Sequence, residues 1–333
     1  MLKRVLYALL ILMLLLTIMY IAGPRPTYPA VDFVIAPTTL KINQLDAHIA
    51  AKEAKVQNLK PDNKSRIVWA DSLPRKTKYA IVYLHGFSAS PMEGNPVHLN
   101  FARKYGMNMY LPRLAQHGIQ NREIFKDLTP KMLIDSAKEA VAIGQLLGEK
   151  VILMSCSTGS TLAVPLAAEN PDLIDAHIML SPNFALYDSK ASLLTGPWGL
   201  QLARKIQGSS YRQLNMPPIC HGYWTMEYRL EGVIALQALI DACIKGEYFA
   251  AIDDPIFAGY YYKSEEEQDK IISIDAIKQY LQLVKTPKAS LQIEAFPNVK
   301  SHVIASDLQS KDVERVEKKL DEFARNVLAV SAE

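Results

Sequence analysis

The pentapeptide Ser155-Cys156-Ser157-Thr158-Gly159 lies between the apolar run Lys150-Val151-Ile152-Leu153-Met154 and a small-residue stretch from Gly159 to Glu169. A serine in the turn from a strand to a helix, with small residues two places before and two after, has the form of a nucleophile elbow, G-x-S-x-G. Such a turn is strained and pushes the hydroxyl into a cleft. Ser155 replaces the first glycine but keeps that position small. A strand ending in a Ser/Thr-rich helix cap would show the same letters. A serine hydroxyl is a poor nucleophile at neutral pH. It needs a base that takes its proton, an acidic group that orients the base, and hydrogen-bond donors for the oxyanion that forms. The backbone N–H of Thr158, next after the serine, is one candidate donor.

These groups need a frame. Ala80-Ile81-Val82-Tyr83-Leu84 is a continuous apolar run, the pattern of a strand buried on both faces. Met107 to Leu111, Lys150 to Met154 and Ala176 to Leu180 repeat it, with an amphipathic helix pattern from Lys131 to Leu147 and the small-residue helix from Gly159 between them. This alternation predicts an α/β domain with a largely parallel sheet and helices on both faces. From about residue 185 to residue 250 the rhythm breaks into helical patterns rich in aromatic residues, with no clear strand, so that stretch reads as a cap. The rhythm resumes with a strand from Pro255 to Tyr260, a helix from Ser273 to Val284, a strand from Ser290 to Ala295 and a helix from about Ser310 to Leu328.

The 333 residues carry a net charge of +3 with no dense Lys/Arg block, so nucleic acid is not an expected partner. Three cysteines, Cys156, Cys220 and Cys243, are too few for a disulfide framework, although Cys220 and Cys243 could pair in an oxidising compartment. Lys3 and Arg4 precede an apolar run from Val5 to Ala22; about 18 residues at ~1.5 Å each span roughly 27 Å, enough for a bilayer core. The basic flank places the remainder on the extracytoplasmic side. A cleaved signal peptide competes with this reading, but Tyr20-Ile21-Ala22 fits an A-x-A site poorly. The expected organisation is an anchor over 1–22, a Pro-rich spacer and N-terminal segment over 23–65, and a domain over 66–330 with its cap at about 185–250. Leu40 to Leu59 has helical spacing and could pack on the domain or form a stalk.

Two further motifs accompany the elbow. His85-Gly86-Phe87 follows the first core strand, and Leu111-Pro112-Arg113-Leu114-Ala115-Gln116-His117-Gly118 follows the second. With these, the stretch from Tyr79 to Leu328 resembles the α/β-hydrolase superfamily, in particular its carboxylesterase, monoacylglycerol-lipase and serine-aminopeptidase-like group. Gln116 departs from the glycine of that family's P-x-x-x-G-H-G loop. The resemblance implies a mostly parallel sheet flanked by helices, a mainly helical cap, and the chain order Ser, Asp or Glu, His. Asp269, followed by Lys270-Ile271-Ile272, matches the family's D-x-V-V arrangement, with Glu265, Glu266 and Glu267 as competitors. His302 is the only histidine after residue 221. The family pattern makes Phe87 the second oxyanion donor, and this chemistry calls for no cofactor and no metal.

The expected activity is hydrolysis of a carboxylic ester, with a lipid or other apolar acyl substrate and the membrane as a second partner through the N-terminal helix. A serine aminopeptidase would add an acidic grip in the cap, for which Glu227, Glu231 and Asp241 are candidates. An acyltransferase or thioesterase would use the same three residues. A catalytically silent membrane-held binding protein is the alternative of another class. His85 and His117 read as loop-shaping partners and Cys156 as packing. Trp198, Tyr211, Trp224, Met226 and Tyr228 could line an acyl pocket or form the core of the cap.

Overall fold

The computed structural model describes residues 2–332. Its main sheet has seven strands in the order β1-β3-β2-β4-β5-β8-β9, where β1 is Arg66–Val68, β2 Thr77–Leu84, β3 Asn108–Leu111, β4 Gly148–Cys156, β5 Ala176–Leu180, β8 Ile256–Tyr260 and β9 Leu291–Ala295. Only β1 runs antiparallel to its neighbour. The alternation of side chains along a strand divides the core in two. Ala80, Val82 and Leu84 of β2, with Val151 and Leu153 of β4, face one layer of helices. Tyr79, Ile81 and Tyr83, with Ile152 and Met154, face the other. The central strands are therefore apolar throughout, because both faces are covered.

On the first face lie α4 (Pro130–Leu147) and α5 (Thr158–Glu169), and on the second α3 (Val97–Lys104) and α10 (Val313–Asn326). Helix α9 (Ile274–Leu281) joins β8 to β9. In the main sheet and the helices on its two faces, two elements have no counterpart in the sequence reading. Strand β1 has three residues, too few to show a period, and α3 is a two-turn helix in the loop after β2.

The region from 185 to 250 contains α6 (Gly199–Gln207), α7 (Leu230–Cys243), the short α8 (Gly246–Phe249) and an antiparallel pair of three-residue strands, β6 (Tyr211–Gln213) and β7 (Glu227–Arg229). The region is mainly helical, and the alternation of this strand pair is too short to register in the sequence. Helix α7 is apolar on nearly every side because it is packed between α4 and α5 beneath it and α6 beside it. The cap is stitched to the domain by Thr225 N–H donating to Ser88 O at 2.7 Å and Arg229 N–H donating to Ile124 O at 3.2 Å.

Helix α1 (Leu2–Ile21) buries none of its residues, and at ~1.5 Å per residue its 20 residues reach about 30 Å. The Pro-rich stretch that follows is extended and lies along the domain. Asn170 secures it, its amide donating to Phe33 O and its carbonyl accepting from Ile35 N–H, both at 2.8 Å. Helix α2 (Leu45–Glu53) also packs on the domain, burying Leu45, Ile49 and Glu53 along one face. Glu53 meets Arg113 at 2.8 Å in a buried ion pair. All three cysteines are buried free thiols, so Cys220 and Cys243 are not paired.

Candidate active site

Ser157 sits at the junction of β4 and α5 with φ 50° and ψ −114°, a conformation that side chains other than glycine avoid. The crowding that enforces the turn is visible at Gly159, where a Cβ would lie 2.0 Å from the carbonyl oxygen of Leu84. Ser155 is accommodated because its hydroxyl shares a 2.8 Å hydrogen bond with the hydroxyl of Ser160. The departure from glycine at 155 thus brings its own polar partner. Thr158 is the first residue of α5, so its N–H has no partner within the helix.

The acidic residue and the histidine come from loops at the carboxyl ends of neighbouring strands. Asp269 follows β8 and is almost completely buried. One of its oxygens accepts from Ile271 N–H at 2.8 Å, and the other lies 2.6 Å from His302 Nδ1. Glu265, Glu266 and Glu267 stay at the surface, bonded to Tyr262, Ser264 and Lys263. His302 follows β9, and its carbonyl accepts from the hydroxyl of Ser181 at 2.6 Å. Burial pushes the imidazole pKa down, but the charge of Asp269, its hydrogen bond and the charge of Glu93 outweigh it and hold His302 above the usual histidine value.

The loop after β2 is shaped by two neutral histidines. His85 Nδ1 faces Gly86 O at 2.8 Å while its Nε2 accepts from Leu114 N–H at 3.1 Å. His117 Nε2 accepts from Ser88 N–H at 3.0 Å, which leaves Nδ1–H to donate to Ala115 O at 2.9 Å. Burial keeps His85 at about 4 and His117 well below the ordinary value, so neither is protonated at neutral pH. Because the C=O and N–H of a trans peptide point in opposite directions, holding Gly86 O toward His85 turns the Phe87 N–H the other way. Gln116 adopts φ 60°, which accounts for glycine in the motif, and its side chain accepts from Phe125 N–H at 3.1 Å.

Ser157, Thr158, Phe87 and His302 border one cavity of about 280 Å³, walled by apolar side chains that include Leu186, Leu214 and Ile271. Of the five cap residues singled out in the sequence, Trp224 and Tyr228 line it. Met226 packs against the small cluster of Ala89, Cys220, Trp224 and Val303, and Tyr211 lies between Arg122 and Arg229. Trp198 meets the end of α1, its indole N–H donating to Met19 O at 3.2 Å. The acidic cap residues are engaged elsewhere: Glu231 pairs with Arg204 and Arg229, Glu227 with Arg122, and Asp241 bonds Thr195 and Gln237.

Glu93 is a member of this cavity that the sequence reading passed over. It lies in a short 3-10 turn, Pro91–Gly94, and its carboxylate accepts from Gly86 N–H at 2.5 Å. A lone acidic residue among the small and apolar residues after His85-Gly86-Phe87 was the available signal.

No protein-family model and no curated protein matches this sequence. Solved structures do resemble it. A metagenome-derived lipolytic enzyme of the LipS and LipT pair superposes with a TM-score of 0.64 at 13% identity, covering 80% of this chain and 99% of its own. The chain carries the α/β-hydrolase fold. The monoacylglycerol lipase of Paleococcus ferrophilus gives 0.56 at 12% identity, covering 78% and 96% of the two chains. A soluble variant of the Saccharomyces cerevisiae monoglyceride lipase, in complex with a substrate analogue, gives 0.52 at 12% identity over 81% and 96%. The residues described above lie at or just beyond the carboxyl ends of β2, β4, β8 and β9.

Proposed function

We propose that this chain is a membrane-tethered serine hydrolase that cleaves a carboxylic ester with an apolar acyl group through an acyl-enzyme. The observation that carries the reading is the 2.6 Å contact of His302 with buried Asp269, with His302 and Ser157 bordering the same apolar cavity. In this scheme His302 removes the Ser157 proton as Oγ attacks the ester carbon, and returns a proton to the departing alcohol. Asp269 holds the proton on Nδ1 and stabilises the imidazolium. The N–H groups of Thr158 and Phe87 receive the oxyanion. Water then repeats the sequence to release the acid.

The apolar walls favour an acyl chain over a charged group. The lipolytic enzymes among the structural neighbours point the same way. The salt bridges that occupy Glu227 and Glu231 speak against a grip for a free amino terminus. A fluorophosphonate probe tests the reading: wild type is expected to label and Ser157→Ala is not. Failure of wild type to label, or equal labelling of the variant, returns the chain to a silent scaffold. Among labelling-competent preparations, turnover of p-nitrophenyl esters is expected and amino-acid anilides should be inert; cleavage of anilides alone would reverse the substrate class.

The tether rests on α1, which is apolar and unburied beyond the Lys3 and Arg4 of its first turn, and whose end is received by Trp198 of the cap. The domain would then lie on the extracytoplasmic side, over residues 66–330, with the cap at about 185–250 held near the bilayer surface. Alkaline extraction of membranes should leave the protein in the pellet. Release into the supernatant would mean that the leader had been cleaved.

A further inference from the structure

In the loop after β2 both backbone polar groups of Gly86 are held, and they are held by different side chains. His85 and the N–H of Ala89 hold Gly86 O, at 2.8 and 3.4 Å. The N–H of the same glycine is held by Glu93, at 2.5 Å. Gly86 has no room to spare: a Cβ there would lie 2.7 Å from one Glu93 oxygen and 3.1 Å from the Cβ of Ser157. The carboxyl group therefore sits against the loop where the chain passes the candidate nucleophile. It is 2% exposed and opens on the same cavity as His302.

A buried carboxyl group is costly unless it is paired, and hydrophobic packing alone would not retain it. Burial does pull Glu93 above the usual carboxylate range, opposed by Gly86 N–H and by His302. The titratable groups around His302 are Asp269 from the loop after β8 and Glu93 from the 3-10 turn after β2. Cys156 of β4 and Tyr83 of β2 lie behind Glu93 and, with burial the largest cause, both are held well above their usual values, as uncharged groups. Asp269 is thus hydrogen-bonded to the imidazole, and Glu93 lines the same cavity as His302.

We propose that Glu93 is a positioning residue of the reaction centre, anchoring the oxyanion loop through Gly86 N–H and placing a second negative charge beside His302. The inference rests on the serine-hydrolase reading for its kinetic consequence. Its electrostatic part applies to His302 whatever the chain catalyses.

Two variants separate the two tasks. Glu93→Gln keeps an acceptor for Gly86 N–H and removes the charge, whereas Glu93→Ala removes both. Loss of a neighbouring negative charge destabilises the imidazolium, so the acid limb of kcat/KM should move to lower pH in both variants. At the pH plateau Glu93→Ala should lose a further ~10²-fold in kcat relative to Glu93→Gln, with KM nearly unchanged, because the loop is free to misplace its donor by an ångström. The downfield proton of His302 Nδ1, followed by NMR across pH, reports the imidazole pKa without any substrate and should fall in Glu93→Gln. Near-ultraviolet circular dichroism checks that each variant is folded, and if Glu93→Ala is not, Glu93→Gln decides. A His302 titration in Glu93→Gln that coincides with wild type overturns the proposal, as does a plateau kcat in folded Glu93→Ala equal to that of Glu93→Gln. Should wild type fail to label with fluorophosphonate while the NMR shift appears, the hydrolase reading has failed and the charge placement stands.

Discussion

Replacement of Ser157 by alanine should lower kcat on a p-nitrophenyl ester by about 10⁶-fold and leave the urea midpoint of unfolding close to that of wild type. The expectation of a preserved fold follows from what Ser157 contributes to the turn. Its φ of 50° is imposed by the crowding at Gly159 and by the hydrogen bond from its own N–H to Leu180 O at 3.1 Å. Alanine keeps that N–H and fits the same backbone. Only the hydroxyl is lost, and with it the proposed covalent route. A residual rate of about 10³-fold over water should persist, since the Thr158 and Phe87 N–H groups remain to polarise a bound carbonyl. His302→Ala should cost about as much, and Ser157→Ala combined with His302→Ala little more than either alone, because a base without its nucleophile has nothing to activate. Additive losses in the double variant would mean that the two side chains act in separate steps. A few per cent of wild-type activity in Ser157→Ala, after active-site titration has excluded contaminating wild type, would remove the serine from the mechanism.

The parts of the candidate site legible in the sequence are those whose signal is local. A strand buried on both faces, then small-serine-small, then a small-residue helix is a backbone constraint, and Ser157 emerges from it. His302 was legible by scarcity, as the only histidine beyond residue 221. Asp269 was separable from Glu265, Glu266 and Glu267 only by its motif, since residue type and spacing treat the run alike. The fold separates them by burial: Asp269 turns inward and its backbone N–H donates to Tyr261 O, while the glutamates find surface partners.

Where the decisive contact is long-range, the sequence was mute. Nothing in the letters distinguishes Trp224 and Tyr228, which enter the cavity, from Tyr211, which lies between two arginines at the surface. The hairpin of β6 and β7 is a pairing across 13 intervening residues, with strands too short for a period. The Pro-rich stretch is extended as its composition requires, yet its course along the domain depends on Asn170, more than 130 residues away in the chain. Gln116 has a similar lesson. The motif's glycine records a positive φ, and a non-glycine residue occupies it here with its own side-chain bond to Phe125 N–H as compensation.

Asp269→Asn isolates orientation from charge and should lower kcat by about 10⁴-fold while KM changes little. The asparagine is nearly isosteric, and its carbonyl oxygen can still accept from Ile271 N–H as Asp269 does at 2.8 Å. That choice leaves the NH₂ group facing His302 Nδ1, across the position where Asp269 now accepts at 2.6 Å. A donor in that place requires Nδ1 to be the unprotonated nitrogen, so the proton moves to Nε2 and the ring can no longer take the hydrogen of Ser157. The loss of the carboxylate should also lower the His302 pKa, whose elevation depends on Asp269, and shift the acid limb of the remaining activity toward lower pH. Glu265→Gln is the matched control, a carboxylate to amide change four residues away on the same loop, where the side chain meets Tyr262 at the surface; it should leave kcat within about twofold, as surface substitutions usually do. Equal losses in the two variants would indicate that the loop as a whole, and no particular carboxylate, supports catalysis. A loss confined to Asp269→Asn, together with the shifted acid limb, assigns to one buried oxygen the work of keeping the imidazole in its reactive form.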